Sequence, residues 1–140
     1  MCEPEDHKKT EVHWLFVSHE PTDFETLKLK LDLLPQQNVW LRQEGMALHV
    51  ACRTHKDAFR LVGAAREAGL RRSGIISSGR KIIVEILDTE RLELPIAVGG
   101  KVVVSEEYLN LVLDIANRKL ERTRKKMKRL EEEFNQLFSF

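Results

Sequence analysis

The chain has 140 residues and a mass of 16.2 kDa, which suits one domain, or one domain with a helical extension. Hydrophobic residues make up 42% and charged residues 32%, a composition that excludes disorder for most of the chain. No apolar run approaches the roughly 20 residues that span a bilayer. The two cysteines suit neither a disulfide framework nor a zinc site. We therefore expect a cytoplasmic protein with no membrane segment and no metal.

The formal net charge is only +1, but the charges are unevenly distributed. Residues 118–129 contain eight Lys or Arg and a single acid, and a second basic group lies within residues 66–81. This asymmetry favours a polyanionic partner. A solvent-exposed helix face would explain the first group equally well.

A polar arm is expected over residues 1–11, followed by one domain over residues 12–140. Residues 12–18 are β-branched and aromatic, and predict a strand. Thr22–Glu25 forms a capping box for a helix that Pro35 ends, although the leucines at alternate positions also permit a strand. Residues 46–52 predict a second strand.

The second half of the chain contains clearer signals. Thr54 caps a helix that Gly69 ends, and Ser105 caps a long basic helix over about residues 105–137. Strands are predicted at residues 81–87, 92–94 and 101–104, interrupted by Pro95 and the glycine pair 99–100. The order predicts an α/β (α+β) fold with a single mixed, curved sheet and packed helices. It is not of the Rossmann type, because no glycine fingerprint follows a strand.

Catalytic signatures are mostly absent, so individual polar residues carry the functional hypotheses. Strand alternation places His49 and Arg53 on one face with two alanines, and this pairing suits an anionic or nucleobase ligand. A half-buried structural histidine beside a surface arginine would give the same pattern. His19 lies at the end of the first predicted strand, where ligands gather in α/β sheets. Trp14, on that strand, suits either base stacking or the core.

The segment Gly69–Ile75 (GLRRSGI) combines small residues with donors. Small residues let backbone amides approach a phosphate or carboxylate, and Arg71, Arg72 and Ser73 add further donors. An ordinary turn would also explain the Ser-Gly pair.

Read together, six segments in order resemble the tRNA wybutosine-synthesizing protein 3 family: WLFVSH (14–19), ALHVACR (47–53), AREAGLRRSGI (65–75), KIIVEI (81–86), LPI (94–96) and VVVSEEYLNLVLDIANRKLERTRKKMKRLEE (102–132). The resemblance covers most of residues 12–132 and implies an α/β fold other than the Rossmann type. It implies an S-adenosylmethionine-dependent methyltransferase acting on N4 of the wybutosine precursor beside the anticodon of tRNA-Phe.

Under this resemblance, we expect His19 or His49 to act as a general base or base-orienting group. Arg72, Ser73 and Gly74 would hold the cofactor, S-adenosyl-L-methionine. The predicted contacts to tRNA are Trp14, Arg53, Arg71, Arg122, Lys125, Lys126 and Arg129.

The family also carries an upstream Ser-Cys-Ser-Gly-Arg motif that this sequence does not contain; Ser77–Arg80 shares some of its letters at a later position. One alternative is therefore a truncated, non-catalytic RNA-binding form of the same family. Another is an interaction domain that dimerises through an apolar seam of the last helix, formed by Leu120, Met127, Leu130 and Phe134.

Overall fold

The computed structural model describes residues 14–32 and 34–138. Its elements, in chain order, are α1 (Phe24–Lys30), β1 (Val39–Glu44), β2 (Ala47–Cys52), α2 (His55–Glu67), β3 (Gly74–Ser78), β4 (Ile82–Leu87), β5 (Arg91–Val98), β6 (Lys101–Val102) and α3 (Glu106–Leu137). Two compact units are present. The first combines the residues up to Glu44 with Arg91–Leu120, and the second combines Gly45–Glu90 with the residues from Glu121 onward.

Each unit contains a three-stranded sheet in which every pairing is antiparallel. The strand order is β1-β5-β6 in the first unit and β2-β4-β3 in the second. The α+β class and the long C-terminal helix are confirmed, whereas the prediction of a single mixed sheet was wrong. Short turns join β3 to β4 and β5 to β6, and such turns permit only antiparallel neighbours. Whether residues 12–140 form one domain stays a prediction.

The strand predicted at residues 12–18 was also wrong for its described part. Residues 14–18 form no strand, and a local turn ends the segment: the Ser18 hydroxyl donates to the Glu20 carbonyl at 2.8 Å and accepts from its amide at 3.0 Å. The polar arm over 1–11 and the first two residues of that strand lie outside the described residues.

The first unit differs from the sequence prediction in two further places. The N-cap of α1 is Asp23 rather than Thr22, since its carboxylate accepts from the Thr26 amide at 2.8 Å. Strand β5 continues through Pro95, where a register irregularity in β1 lies opposite and the short β6 does not reach. Proline is tolerated at such positions because it has no amide to donate. Leu27, Val39, Ile96, Ala97, Leu109 and Leu113 form this unit's core.

Caps and stops in the remaining helices agree with the sequence prediction. The Thr54 hydroxyl accepts from the Asp57 amide at 3.1 Å, and Ser105 does the same for Tyr108. Gly69 ends α2 with a φ of 98°, a conformation that glycine adopts without steric cost.

Strand β4 forms the centre of the second unit. Its alternate residues Ile82, Val84 and Ile86 are buried against α2 and the second half of α3. Hydrophobic burial on this face fixes the strand register, because a slip of one residue would exchange the two faces. Among the described residues, no helix is long and apolar enough to cross a membrane.

The apolar seam predicted for dimerisation contributes instead to the second unit itself. Leu130 is 9% exposed and belongs to the core, and Phe134 packs against that core. Met127 is 47% exposed. Self-association through this seam stays a prediction, and Leu130 contributes little exposed surface to it.

We expect Leu130→Ala to destabilise the protein by about 2–4 kcal/mol, because truncation of a core leucine leaves a cavity. Met127→Ala, three residues earlier on the same helix, is the matched control and should change stability by less than about 1 kcal/mol. Urea unfolding followed by circular dichroism measures both. Equal effects of the two substitutions would contradict the assigned helix face.

Candidate functional site

The second sheet has one face that the core does not cover, and we call it the open face. Antiparallel register places its members in rows across the three strands. The residues on it are Ala47, His49, Ala51, Gly74, Ser77, Ile83, Glu85 and Leu87. Most of these residues are small or polar, so much of the backbone on this face is accessible beside a few functional side chains.

A histidine–glutamate pair occupies the middle of the open face. His49 lies directly opposite Glu85 in the register, and His49 Nε2 is 2.9 Å from Glu85 Oε2. The imidazole is 57% exposed and the carboxylate 31% exposed. The structure thus confirms that His49 is on a face with two alanines, and it adds a carboxylate partner that the sequence analysis missed.

Gly74 continues the same row on the other side of Glu85. It pairs with Glu85 in the register, and a Cβ atom built on it would meet nothing within 4 Å. The row His49–Glu85–Gly74 therefore ends in an open space beside the carboxylate. A ligand can approach the backbone closely at such a glycine.

Ser73, which we predicted to bind the cofactor, has a structural role. Its side chain is buried, and its hydroxyl oxygen accepts from the Leu87 amide at 3.2 Å. Its carbonyl accepts from the Arg66 guanidinium at 3.2 and 3.3 Å. These bonds fix the loop that leads into β3. Arg71 and Arg72, by contrast, are exposed on this loop.

The remaining predicted residues fall into two groups. Arg53 is exposed immediately after β2, and so belongs to the unit that holds the open face. Trp14 and His19 are exposed residues of the first unit. Their roles stay predictions.

The predicted RNA-binding cations of α3 divide by the side of the helix on which they lie. Lys126 is 20% exposed, and its Nζ is 3.0 Å from Asp88 Oδ1 and 3.6 Å from Glu90 Oε1. Arg122 pairs with Glu90 at 3.0 Å. Lys125 and Arg129 are exposed. The Lys126 ammonium is thus engaged in ion pairs within the unit, and its role in tRNA binding stays a prediction.

Asp88 is the buried centre of this network. Its carboxylate, 1% exposed, accepts hydrogen bonds from Thr123 and Lys126. Gly45 makes the arrangement possible, since a Cβ atom there would lie 2.8 Å from Asp88 Oδ2. Burial raises the pKa of Asp88, but the hydrogen bonds from Thr123 and Lys126 outweigh it and the pKa lies below its usual value.

Metal chemistry has no visible site in the part of the chain that the structure describes. There, no group of three or more His, Cys, Asp or Glu side chains is arranged to hold a metal ion. The only described cysteine, Cys52, has a pKa raised by burial and by the nearby Asp57, which disfavours a thiolate nucleophile.

Comparison with known proteins defines the class. The described fold superposes on the solved PH1069 protein of Pyrococcus horikoshii with a TM-score of 0.88, at 33% identity over 98% of this chain and 69% of that one. A hypothetical protein of Aeropyrum pernix has a TM-score of 0.70, at 27% identity over 88% of this chain and 77% of that one. The chain belongs to the methyltransferase TYW3 family, whose model matches residues 2–136.

Two relatives are named by activity or pathway. A Pyrococcus horikoshii protein named tRNA(Phe) 7-((3-amino-3-carboxypropyl)-4-demethylwyosine(37)-N(4))-methyltransferase 1 is 41% identical over 100 residues, 71% of this chain and 51% of its own length. A Mus musculus protein named tRNA wybutosine-synthesizing protein 3 homolog is 37% identical over 117 residues, 83% of this chain and 45% of its own length. The chain spans about half the length of each.

Substitution of the two adjacent lysines of α3 should affect the stability of the protein to very different extents. Lys126→Met should destabilise the protein by about 3 kcal/mol at neutral pH, because it leaves the Asp88 carboxylate buried without its cation. Lys125→Met, the matched control, should change stability by about 0.5 kcal/mol or less. Thermal or urea unfolding of both variants measures the difference. A stable Lys126→Met protein would contradict the buried pair.

The pH dependence provides an independent test of the same network. Because the folded-state pKa of Asp88 is lowered, its stabilising contribution is complete above the unfolded-state pKa and is lost as the pH falls through the folded-state pKa. We expect Lys126→Met to lose less stability than the wild type between neutral and strongly acidic pH. Parallel pH profiles for the two proteins would exclude Lys126 as a cause of the shift.

Proposed function

We propose that this chain transfers a methyl group to N4 of the wybutosine precursor base in tRNA-Phe, with S-adenosyl-L-methionine as the donor. The observation that carries this proposal is the family match over residues 2–136, together with the relatives' names. The open face of the second sheet provides groups suited to that reaction.

His49 is the proposed proton acceptor. Methylation of a ring nitrogen forms an N–CH3 bond, and the proton of the original N–H must leave for a base. A neutral imidazole accepts such a proton within the physiological pH range. The 57% exposure of His49 allows contact with a substrate base. His19 is a second candidate in the first unit.

The donor supplies a methyl group whose bond to sulfur breaks with both electrons remaining on sulfur. Two features of the chain fit a donor with an amino acid carboxylate: the exposed Arg72 guanidinium and the open space at Gly74. Arginine binds carboxylates through paired donors. The Ser73 hydroxyl already accepts from the Leu87 amide, so we assign it the support of this loop rather than direct contact.

Exposed cations of the second unit provide the proposed tRNA contacts. Arg53, Arg71, Lys125 and Arg129 are all exposed, and Lys125 and Arg129 are one helical turn apart on α3. Phosphate contacts of this kind produce an affinity that falls with salt. Trp14 is 60% exposed and is available for base stacking.

Transfer of labelled methyl from S-adenosyl-L-methionine to precursor-containing tRNA-Phe tests the proposal. We expect transfer by the wild type and a loss of about 100-fold or more in His49→Ala, the usual contribution of a general base. His19→Ala tests the second candidate. Binding of tRNA without transfer by the wild type would overturn the proposal and favour the non-catalytic RNA-binding alternative.

The tRNA contacts have their own test. We expect Lys125→Ala and Arg129→Ala each to weaken tRNA binding and to lower the slope of log affinity against log salt by about 1. Lys56→Ala, an exposed lysine of α2, is the control and should change neither. Fluorescence anisotropy at several salt concentrations measures both quantities. Unchanged slopes in the two α3 variants would move the tRNA contacts elsewhere.

A further inference from the structure

The His49–Glu85 contact is expected to contribute little to the stability of the fold. Both side chains are partly exposed, 57% and 31% respectively, and ion pairs in water contribute little to stability. Ala47 and Ala51 flank His49 on its own strand, Ile83 and Leu87 lie diagonally across from it on β4, and the imidazole stays 57% exposed among them. A pair held at 2.9 Å in such a setting is suited to contact with a ligand.

The geometry distinguishes the two ring nitrogens of His49. The Glu85 carboxylate approaches Nε2, and an ionised carboxylate only accepts hydrogen bonds. A neutral ring must therefore carry its proton on Nε2 to make this contact, which leaves Nδ1 with a lone pair. The partner of one nitrogen thus decides which nitrogen can accept a proton.

We propose that Glu85 is a positioning residue that keeps neutral His49 protonated on Nε2 and so presents Nδ1 as the acceptor of the substrate proton. This inference rests on the proposed methyl transfer. In the step, the substrate N–H bond breaks and its electron pair remains on nitrogen, which forms the new bond to the methyl carbon. The proton moves to Nδ1, and the resulting imidazolium is stabilised by the Glu85 carboxylate.

Gly74 leaves an open space beside the Glu85 carboxylate. The carboxylate lies between His49 and Gly74 in one row of the sheet, and the space above Gly74 is open. The proposed donor space at Gly74 therefore lies on the carboxylate side of the imidazole, whereas the substrate reaches Nδ1 from the side that faces away from Glu85. A larger residue at position 74 would narrow the space for the donor.

The first readout is the ring tautomer of His49, measured by nitrogen-15 NMR of the full chain at alkaline pH. The His49→Gln spectrum assigns the resonances. We expect the wild type to be protonated on Nε2, and Glu85→Ala to show a mixture of tautomers. A wild-type ring protonated on Nδ1, or a spectrum that Glu85→Ala leaves unchanged, would overturn the inference.

The second readout is single-turnover methyl transfer by Glu85→Gln. A glutamine amide can donate to Nε2 as well as accept from it, so it no longer selects one tautomer. We expect the transfer rate constant to fall by about 10-fold or more, with little change in the concentration at which that rate is half-maximal. Glu93→Gln is the control. Like Glu85, Glu93 is a partly exposed glutamate in a cross-strand pair, here with Arg42. The Glu93→Gln protein should transfer methyl at the wild-type rate.

The outcomes separate the two proposals. Wild-type transfer with an unaffected Glu85→Gln variant would reject Glu85 as a positioning residue and retain the proposed function. Absence of transfer by the folded wild type would reject the proposed function, and the positioning role with it. Slow transfer by Glu85→Gln, with unchanged thermal stability and the expected tautomer shift, supports both.

Discussion

The pleat of β4 is the constraint on which the proposed site depends. Ile82, Val84 and Ile86 must face the core, because their burial contributes much of the hydrophobic stabilisation of the second unit. The residues between them consequently face away from the core, and this alternation places Glu85 on the open face. Antiparallel pairing then aligns His49 on one side and Gly74 on the other. The placement of the proposed functional row thus follows from a packing requirement.

The basic residues in the second half of α3 have two different surroundings. Lys126 lies on the side of Thr123 and Leu130, and its ammonium compensates the buried Asp88 carboxylate. Lys125 points away from that side and remains exposed. Removal of the first should affect folding and removal of the second should affect polyanion binding. Net charge alone could not separate them.

Much of the secondary structure of the second unit could be predicted from the sequence, because short sequence patterns determine it. The alternation in β4, the Thr54 cap and the positive φ at Gly69 each depend on a few neighbouring residues. The partners of individual side chains could not be predicted from the sequence. The contact of Glu85 with His49 depends on the strand register, and the contact of Ser73 with the Leu87 amide depends on the fold of the loop before β3. The separation into two sheets depends on long-range contacts that no local pattern encodes.

Gly74→Val offers the most direct test that reaction occurs on the open face. Valine meets no atom within 4 Å of its Cβ position and favours strands, so the fold should be retained, as a thermal midpoint close to the wild type would verify. The account predicts that methyl transfer to precursor-containing tRNA falls by about 10-fold or more, since the side chain fills the space beside Glu85. Full activity of a folded Gly74→Val protein would contradict the account and place the reaction on another surface.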